Sequence, residues 1–138
     1  MSETENSRGR ATGRIVVGTY EPRAWSDVEG APTLSLIHVV ETFEGDIEGQ
    51  GEVYFVQAAR PDGTASFVGQ ERVTGSLAGR TGSFVFQDAG TLEGSLVRGT
   101  WFVVPGSGTG GLAGLRGEGG FEAELGQHAQ ITLDYWFE

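Results

Sequence analysis

The 138-residue chain contains no cysteine and no lysine. Without cysteine it can form no disulfide bond, no thiolate metal site and no thiol nucleophile. Without lysine it can form no Schiff base and no phosphate-loop lysine contact. No apolar run approaches the length of a membrane span, and residues 1–14 lack the apolar core of a signal peptide. We therefore expect a soluble, cytoplasmic protein.

Charge and size limit the possible partners and the number of domains. Nineteen acidic side chains stand against nine basic ones, and the formal net charge of −10 makes nucleic acids and anionic membranes poor partners. The length and the 38% hydrophobic content suit one domain with one core. We expect this domain to span residues 11–138. Residues 1–10 are polar and without apolar periodicity, so we expect them to form a disordered tail.

Short β-favouring segments separated by turn residues run through the whole of 11–138. A ten-residue stretch with helical spacing is missing, and only Gly111–Leu115 could form a short helical turn. Pro22 should limit the second half of the first strand to an edge or a bend. Arg60–Thr64 is a clear hairpin turn, and Glu44–Gly51 is also predicted as a turn. The pattern indicates an all-β sandwich or an up-and-down barrel, and the simple hairpin connections favour a single closed antiparallel barrel of about eight strands. The predicted strands are 12–25, 33–43, 52–59, 65–74, 82–88, 94–104, 119–124 and 129–137.

The segment Pro105–Phe121, PGSGTGGLAGLRGEGGF, contains G-x-G-x-x-G directly after a predicted strand. A dinucleotide-binding fingerprint needs a long helix after its glycines, and Gly114 and Gly117 would break such a helix. We therefore expect these glycines to form a turn that closes the barrel.

Together with GDIEGQG at Gly45–Gly51 and RPDGTASFVG at Arg60–Gly69, this segment resembles a family of small bacterial proteins of unassigned function. The family belongs to the allene oxide cyclase-like barrel superfamily, and the resemblance covers nearly the whole chain from Ala11. It implies an eight-stranded antiparallel barrel. Plant dirigent proteins and allene oxide cyclases share a related glycine turn, and they steer the cyclisation or coupling of apolar molecules without a cofactor. Because only the glycine turn matches those proteins, no catalytic residue carries over.

Period-two alternation in 65–74 points Phe67 and Glu71 into the barrel. An inward Glu71 is either paired with an arginine or kept protonated by an apolar wall, where it could transfer protons. On the next predicted strand, 82–88, the alternation does not decide which side chains face the interior. Either Phe84, Phe86 and Asp88 face the interior, or Ser83, Val85 and Gln87 do.

Three functions are compatible with this pattern. The first is a small-molecule-binding barrel whose cavity is lined by aromatic side chains. The second is a cofactor-free isomerase or cyclase acting on an apolar substrate, with Glu71 or Tyr54 moving the proton. The third is a structural protein with a filled barrel. The candidate ligand-binding residues are Phe55, Gln57, Phe67, Gln87 and Trp101.

We expect no metal ion and no other cofactor. Residues 46–51 match a calcium loop poorly, since Gln57 stands where a bidentate glutamate is needed. The two histidines, His38 and His128, lie in different segments and cannot form a zinc site without distant carboxylates. Apolar residues on both faces of strands 33–43 and 52–59 predict a homo-oligomer.

Overall fold

The structure is a computed structural model that describes residues 8–138, and it is all-β as the sequence predicts. None of these residues is helical, so none forms a helix that could cross a membrane. The strands are β1 (Gly9–Ser26), β2 (Thr33–Gly45), β3 (Ile47–Ala59), β4 (Ala65–Leu77), β5 (Arg80–Glu93), β6 (Leu96–Val103), β7 (Thr109–Gly110), β8 (Leu115–Glu124) and β9 (Ala129–Phe137).

Eight of the nine strands form a closed antiparallel barrel, which confirms the predicted fold. Strands β1 to β6 pair in chain order, β6 pairs with β8, β8 with β9, and β9 with β1. The two-residue β7 pairs with the start of β5. We call the end that carries the turns at 27–32, 60–64 and 125–128 the mouth, and the opposite end the base.

Strand β1 begins at Gly9, so Gly9 and Arg10 belong to the barrel and not to the predicted tail. Residues 1–7 of that tail lie outside the described residues. Strand β9 pairs only with Gly9–Ile15, and the rest of β1 pairs with β2 alone. The second half of β1 is therefore an edge, as Pro22 predicts, because proline has no N–H for a further strand to accept.

The reversal predicted over Glu44–Gly51 is present but shorter, because the β2–β3 pairing ends at Phe43 and Gly49. Strand β2 runs to Gly45 and β3 begins at Ile47, so Asp46 alone separates them. The chain can reverse this tightly because Gly45 has a φ of 113°, a conformation that favours glycine. The Asp46 carboxylate accepts a hydrogen bond from the Thr12 N–H at 2.9 Å, which ties the turn to β1.

The glycine-rich segment closes the base of the barrel. It follows β6, adds β7 to the start of β5, and buries Leu112 completely in the core. Gly108 is required there, because a Cβ at that position would overlap the carbonyl oxygen of Leu112. Residues 111–115 form hydrogen-bonded turns and no helix, so the segment has no helix N-terminus for a pyrophosphate.

Candidate functional site

Three acidic side chains lie on the inner face of the barrel wall, on three different strands. Glu41 belongs to β2, Glu71 to β4 and Asp88 to β5, and their exposed fractions are 7%, 1% and 3%. The register holds Glu71 there, since its cross-strand partners Val53 and Phe86 are both core residues. We call Glu41, Glu71 and Asp88 the carboxyl cluster.

Burial raises the pKa of all three carboxyls. For Glu71, burial acts together with its hydrogen bond to Glu41 and the charges of Glu41 and Asp88, and the pKa lies well above its usual range. Burial also raises the pKa of Glu41, while the hydrogen bond from Glu71 lowers it. Burial and the charge of Glu41 raise the pKa of Asp88 to about 7. These directions favour a neutral Glu71 whose O–H donates to Glu41, and an Asp88 that is partly ionised near pH 7.

Within residues 8–138, the carboxyl cluster has no cationic partner. All nine arginines lie within residues 8–138 and none of them is buried. The ion pairs of this part of the chain join side chains on the outer surface, so the alternative in which Glu71 pairs with an arginine is wrong. Two carboxyl oxygens, Glu71 Oε2 and Asp88 Oδ1, are buried without any hydrogen-bond partner.

Aromatic rings surround the carboxyl cluster and continue toward the mouth. Phe86 and Trp101 stack with their centroids 3.9 Å apart and their planes at 3°. The Trp101 Nε1–H donates to the Thr132 carbonyl at 3.0 Å, which fixes the orientation of the indole. Further ring contacts, with centroids 5.0 to 6.3 Å apart, add Phe43, Phe55, Phe67, Phe84 and Phe121. Rings on the base side are fully buried, whereas Phe55 and Phe121 near the mouth are only partly buried.

Glycines on the inner face make room for these groups. A Cβ at Gly51 would overlap Glu71 Oε2, and one at Gly69 would come within 2.8 Å of the Phe55 ring. Gly69 is in register with both Phe55 and Asp88. The Phe55 ring therefore covers Gly69, the residue that pairs with Asp88.

The structure places five of the seven predicted site residues on the inner face. Glu71 and Trp101 are buried near the middle of the barrel, and their predicted roles stay predictions. Nearer the mouth, Gln57 is in register with Phe67 and with the buried Ser35, so it also faces inward. Phe55 and Phe67 make an edge-to-face contact with centroids 5.1 Å apart.

Tyr54 and Gln87 lie on the outer face, so the expectation that they line the interior is wrong. Tyr54 alternates with the inward Val53 and is 51% exposed. The two-residue turn Ala78–Gly79 sets a register in which Glu71 lies opposite Phe86. Phe86 therefore faces inward with Glu71, and Gln87, the next residue, lies on the outer face. There the Gln87 side-chain oxygen accepts a hydrogen bond from Gln70 Nε2 at 3.2 Å.

Sequence reasoning did not select Glu41 or Asp88 as site residues. The alternation in 82–88 left two sets of side chains that could face the interior, and Asp88 belongs to one of them. A two-residue turn at Ala78–Gly79 is the signal that decides between the two sets. Glu41 gave no such signal, because both alternating residue sets of 33–43 are apolar.

The outer face carries a shallow groove of about 910 Å³ that crosses β3 to β9. Its lining includes Tyr54, Gln70, Gln87 and Phe102. Beside it, His38 stacks on Tyr54 at 4.5 Å. The His38 ring also bonds Glu52 through Nε2 at 2.7 Å and Glu21 through Nδ1 at 3.1 Å. These two hydrogen bonds, that to Glu52 first, raise the pKa of His38.

Within residues 8–138, histidine and carboxylate side chains form no group of three or more that could hold a metal ion.

Residues 11–135 match the family model described as "Protein of unknown function (DUF3224)". The chain belongs to the DUF3224 family. A crystal structure of a DUF3224 protein of unknown function from Shewanella oneidensis MR-1 is 33% identical to this chain, with a TM-score of 0.80. The match covers 95% of this chain and 98% of the Shewanella protein. A comparison with curated proteins gives no match.

Proposed function

We propose that this DUF3224 protein binds a small, mostly apolar molecule inside the barrel, with a polar group of that molecule at the carboxyl cluster. The observation that carries the proposal is the pair of buried, unpartnered oxygens, Glu71 Oε2 and Asp88 Oδ1. A buried polar group without a partner costs about 1–3 kcal/mol, and native proteins rarely retain one without a reason. A donor on a bound molecule would supply the missing hydrogen bond.

The mouth offers the route to this site. Phe55, Gln57 and Phe121 are only partly buried there, in contrast to the fully buried rings on the base side. A ligand that displaces the Phe55 ring from Gly69 reaches the inner face beside Asp88. Aromatic walls with a few convergent polar groups are typical of small-molecule sites.

Binding of diphenylhexatriene, a neutral hydrocarbon that fluoresces in apolar surroundings, tests the proposal. Gln57→Trp narrows the mouth from the inner face. Val56→Trp adds the same side chain to the outer face of the same strand and is the matched control. We expect Gln57→Trp to weaken binding at least tenfold and Val56→Trp to leave it unchanged. No binding by the wild type would favour a filled structural barrel, and a loss confined to Val56→Trp would place the ligand in the outer groove.

A cofactor-free isomerase is the second candidate, and the unequal carboxyls favour it. In this step the Glu71 O–H turns from Glu41 to hydrogen-bond the carbonyl oxygen of the substrate and keeps its proton. Ionised Asp88 removes a proton from the carbon next to the carbonyl and returns it to the far carbon of the double bond as the carbonyl re-forms. The resemblance to allene oxide cyclase-like barrels supports a cofactor-free reaction on an apolar substrate. Conversion of 3-cyclohexenone to its conjugated isomer is a simple assay. Turnover that survives in both Glu71→Gln and Asp88→Asn would remove these residues as the proton carriers.

We also propose a homo-oligomer and a cytoplasmic location. Exposed apolar side chains on the outer face support association, because neighbouring strands place them side by side. They are Leu36, Tyr54, Val56, Val68 and Phe102.

A further inference from the structure

The interior of the barrel offers a ligand negative charge only. The carboxyl cluster is buried, and none of the nine arginines shares that environment. Arg72 directly follows Glu71 along β4, but alternation places it on the outer face, where it is exposed. In a low-dielectric interior this one-sided charge repels an anion strongly and attracts a cation.

The aromatic groups beside the carboxyl cluster also favour a positively charged ligand. Trp101 is in register with Asp88 on the neighbouring strand, and its ring stacks on Phe86. Phe43 lies 6.3 Å from both of these rings, measured between centroids. The faces of aromatic rings carry partial negative charge and attract organic cations, most strongly where water is excluded.

We infer that the barrel selects apolar organic cations, such as amines or quaternary ammonium compounds, over neutral molecules of the same shape, and that it rejects organic anions. Asp88 provides the counter-charge beside the unpartnered Oε2 of Glu71, and the rings of Trp101 and Phe86 form the apolar wall. This inference rests on the proposed binding function and adds the chemical class of the ligand.

Three forms of one fluorescent molecule test the inference: neutral diphenylhexatriene, its trimethylammonium derivative and its propionic acid derivative. At pH 8, where Asp88 is ionised, we expect the cation to bind at least tenfold more tightly than the neutral form. We expect the anion to bind at least tenfold more weakly. In the triple variant Glu41→Gln/Glu71→Gln/Asp88→Asn, which removes every carboxylate of the cluster, the three affinities should converge while binding of the neutral form is retained.

The surface charge of −10 could also attract cations, so the control removes charge from the outside. Glu118→Gln and Asp134→Asn neutralise two exposed groove residues. We expect this control variant to keep the cation preference, and 0.5 M salt to leave it in place, because salt screens buried charges poorly. A preference lost in the control or in salt would overturn the inference.

The remaining outcomes separate the two proposals. Equal binding of all three forms inside the barrel would overturn the charge selectivity and leave the binding function intact. Failure of all three forms to bind would overturn both.

Discussion

Replacing Asp88 with asparagine should stabilise the protein above neutral pH. Burial raises the pKa of Asp88 from an ordinary 3.8 to about 7, so the folded protein holds a proton that the unfolded chain has already released. The free energy of unfolding therefore falls as the pH rises between these two values. The loss is complete above pH 7, when the folded carboxyl ionises as well.

The size of this effect follows from the same two values. The interval from 3.8 to about 7, at about 1.4 kcal/mol per pH unit, gives about 4 kcal/mol. Roughly 3 kcal/mol of it is lost between pH 5 and pH 8. Asparagine does not titrate, but its buried amide lacks a partner and costs about 1–3 kcal/mol at every pH. Asp88→Asn should therefore be more stable than the wild type at pH 8 by about 1–3 kcal/mol, and less stable or equal at pH 5.

Urea unfolding at pH 5, 6, 7 and 8 measures this difference. Glu118→Gln removes the same charge from the outer face, so it controls for the repulsion among the surface carboxylates. A similar gain at pH 8 for Glu118→Gln would show that overall charge, and not the burial of Asp88, causes the trend. A pH slope in Asp88→Asn equal to that of the wild type would also refute the reasoning.

Three further predictions concern other parts of the barrel. Gly108→Ala should destabilise the protein by about 3 kcal/mol in urea unfolding because its Cβ overlaps the Leu112 carbonyl, whereas Gly106→Ala meets open space and should cost only about 1 kcal/mol of backbone strain. In an NMR titration, the His38 pKa should lie above 6.5, and Glu52→Gln should lower it more than Glu21→Gln; the stability that His38 contributes is present below pH 6.5 and is lost as the pH rises through its folded pKa. Val68→Arg should convert a wild-type oligomer to monomers in analytical ultracentrifugation, and a wild-type monomer would contradict the proposed association.

Local sequence chemistry was sufficient for most of the fold. The hairpin at Arg60–Thr64 forms as predicted, and its ends are joined by a hydrogen bond from the Arg60 N–H to the Thr64 carbonyl at 2.8 Å. Pro22 marked the edge half of β1 because its ring removes a donor. Such signals depend only on residues that are adjacent in the chain, so they can be identified in a single sequence.

The face on which a side chain lies, and the residues opposite it on neighbouring strands, depend on turns for which the sequence signal is weak. Ala78 adopts a φ of 55°, which is rare for a residue with a Cβ, so Ala-Gly is a weaker hairpin signal than Asn-Gly. Without that turn the parity of β5 stays open, and Asp88 cannot be assigned to the interior. The meeting of Glu41, Glu71 and Asp88 further requires the registers of β2 to β5, which no single segment contains.

Two features that reduce stability occur together on the inner face of β3. Gly51 lies inside a strand, where glycine costs about 0.5–1 kcal/mol relative to alanine. The space that it leaves is taken by the Glu71 carboxyl, whose burial also opposes folding at neutral pH. A barrel selected only for stability would fill this position with apolar side chains, as it does beside Phe43 and Phe86. Both costs arise where Glu71 has an unpartnered oxygen, which supports the proposal that the carboxyl cluster serves ligand binding and not packing.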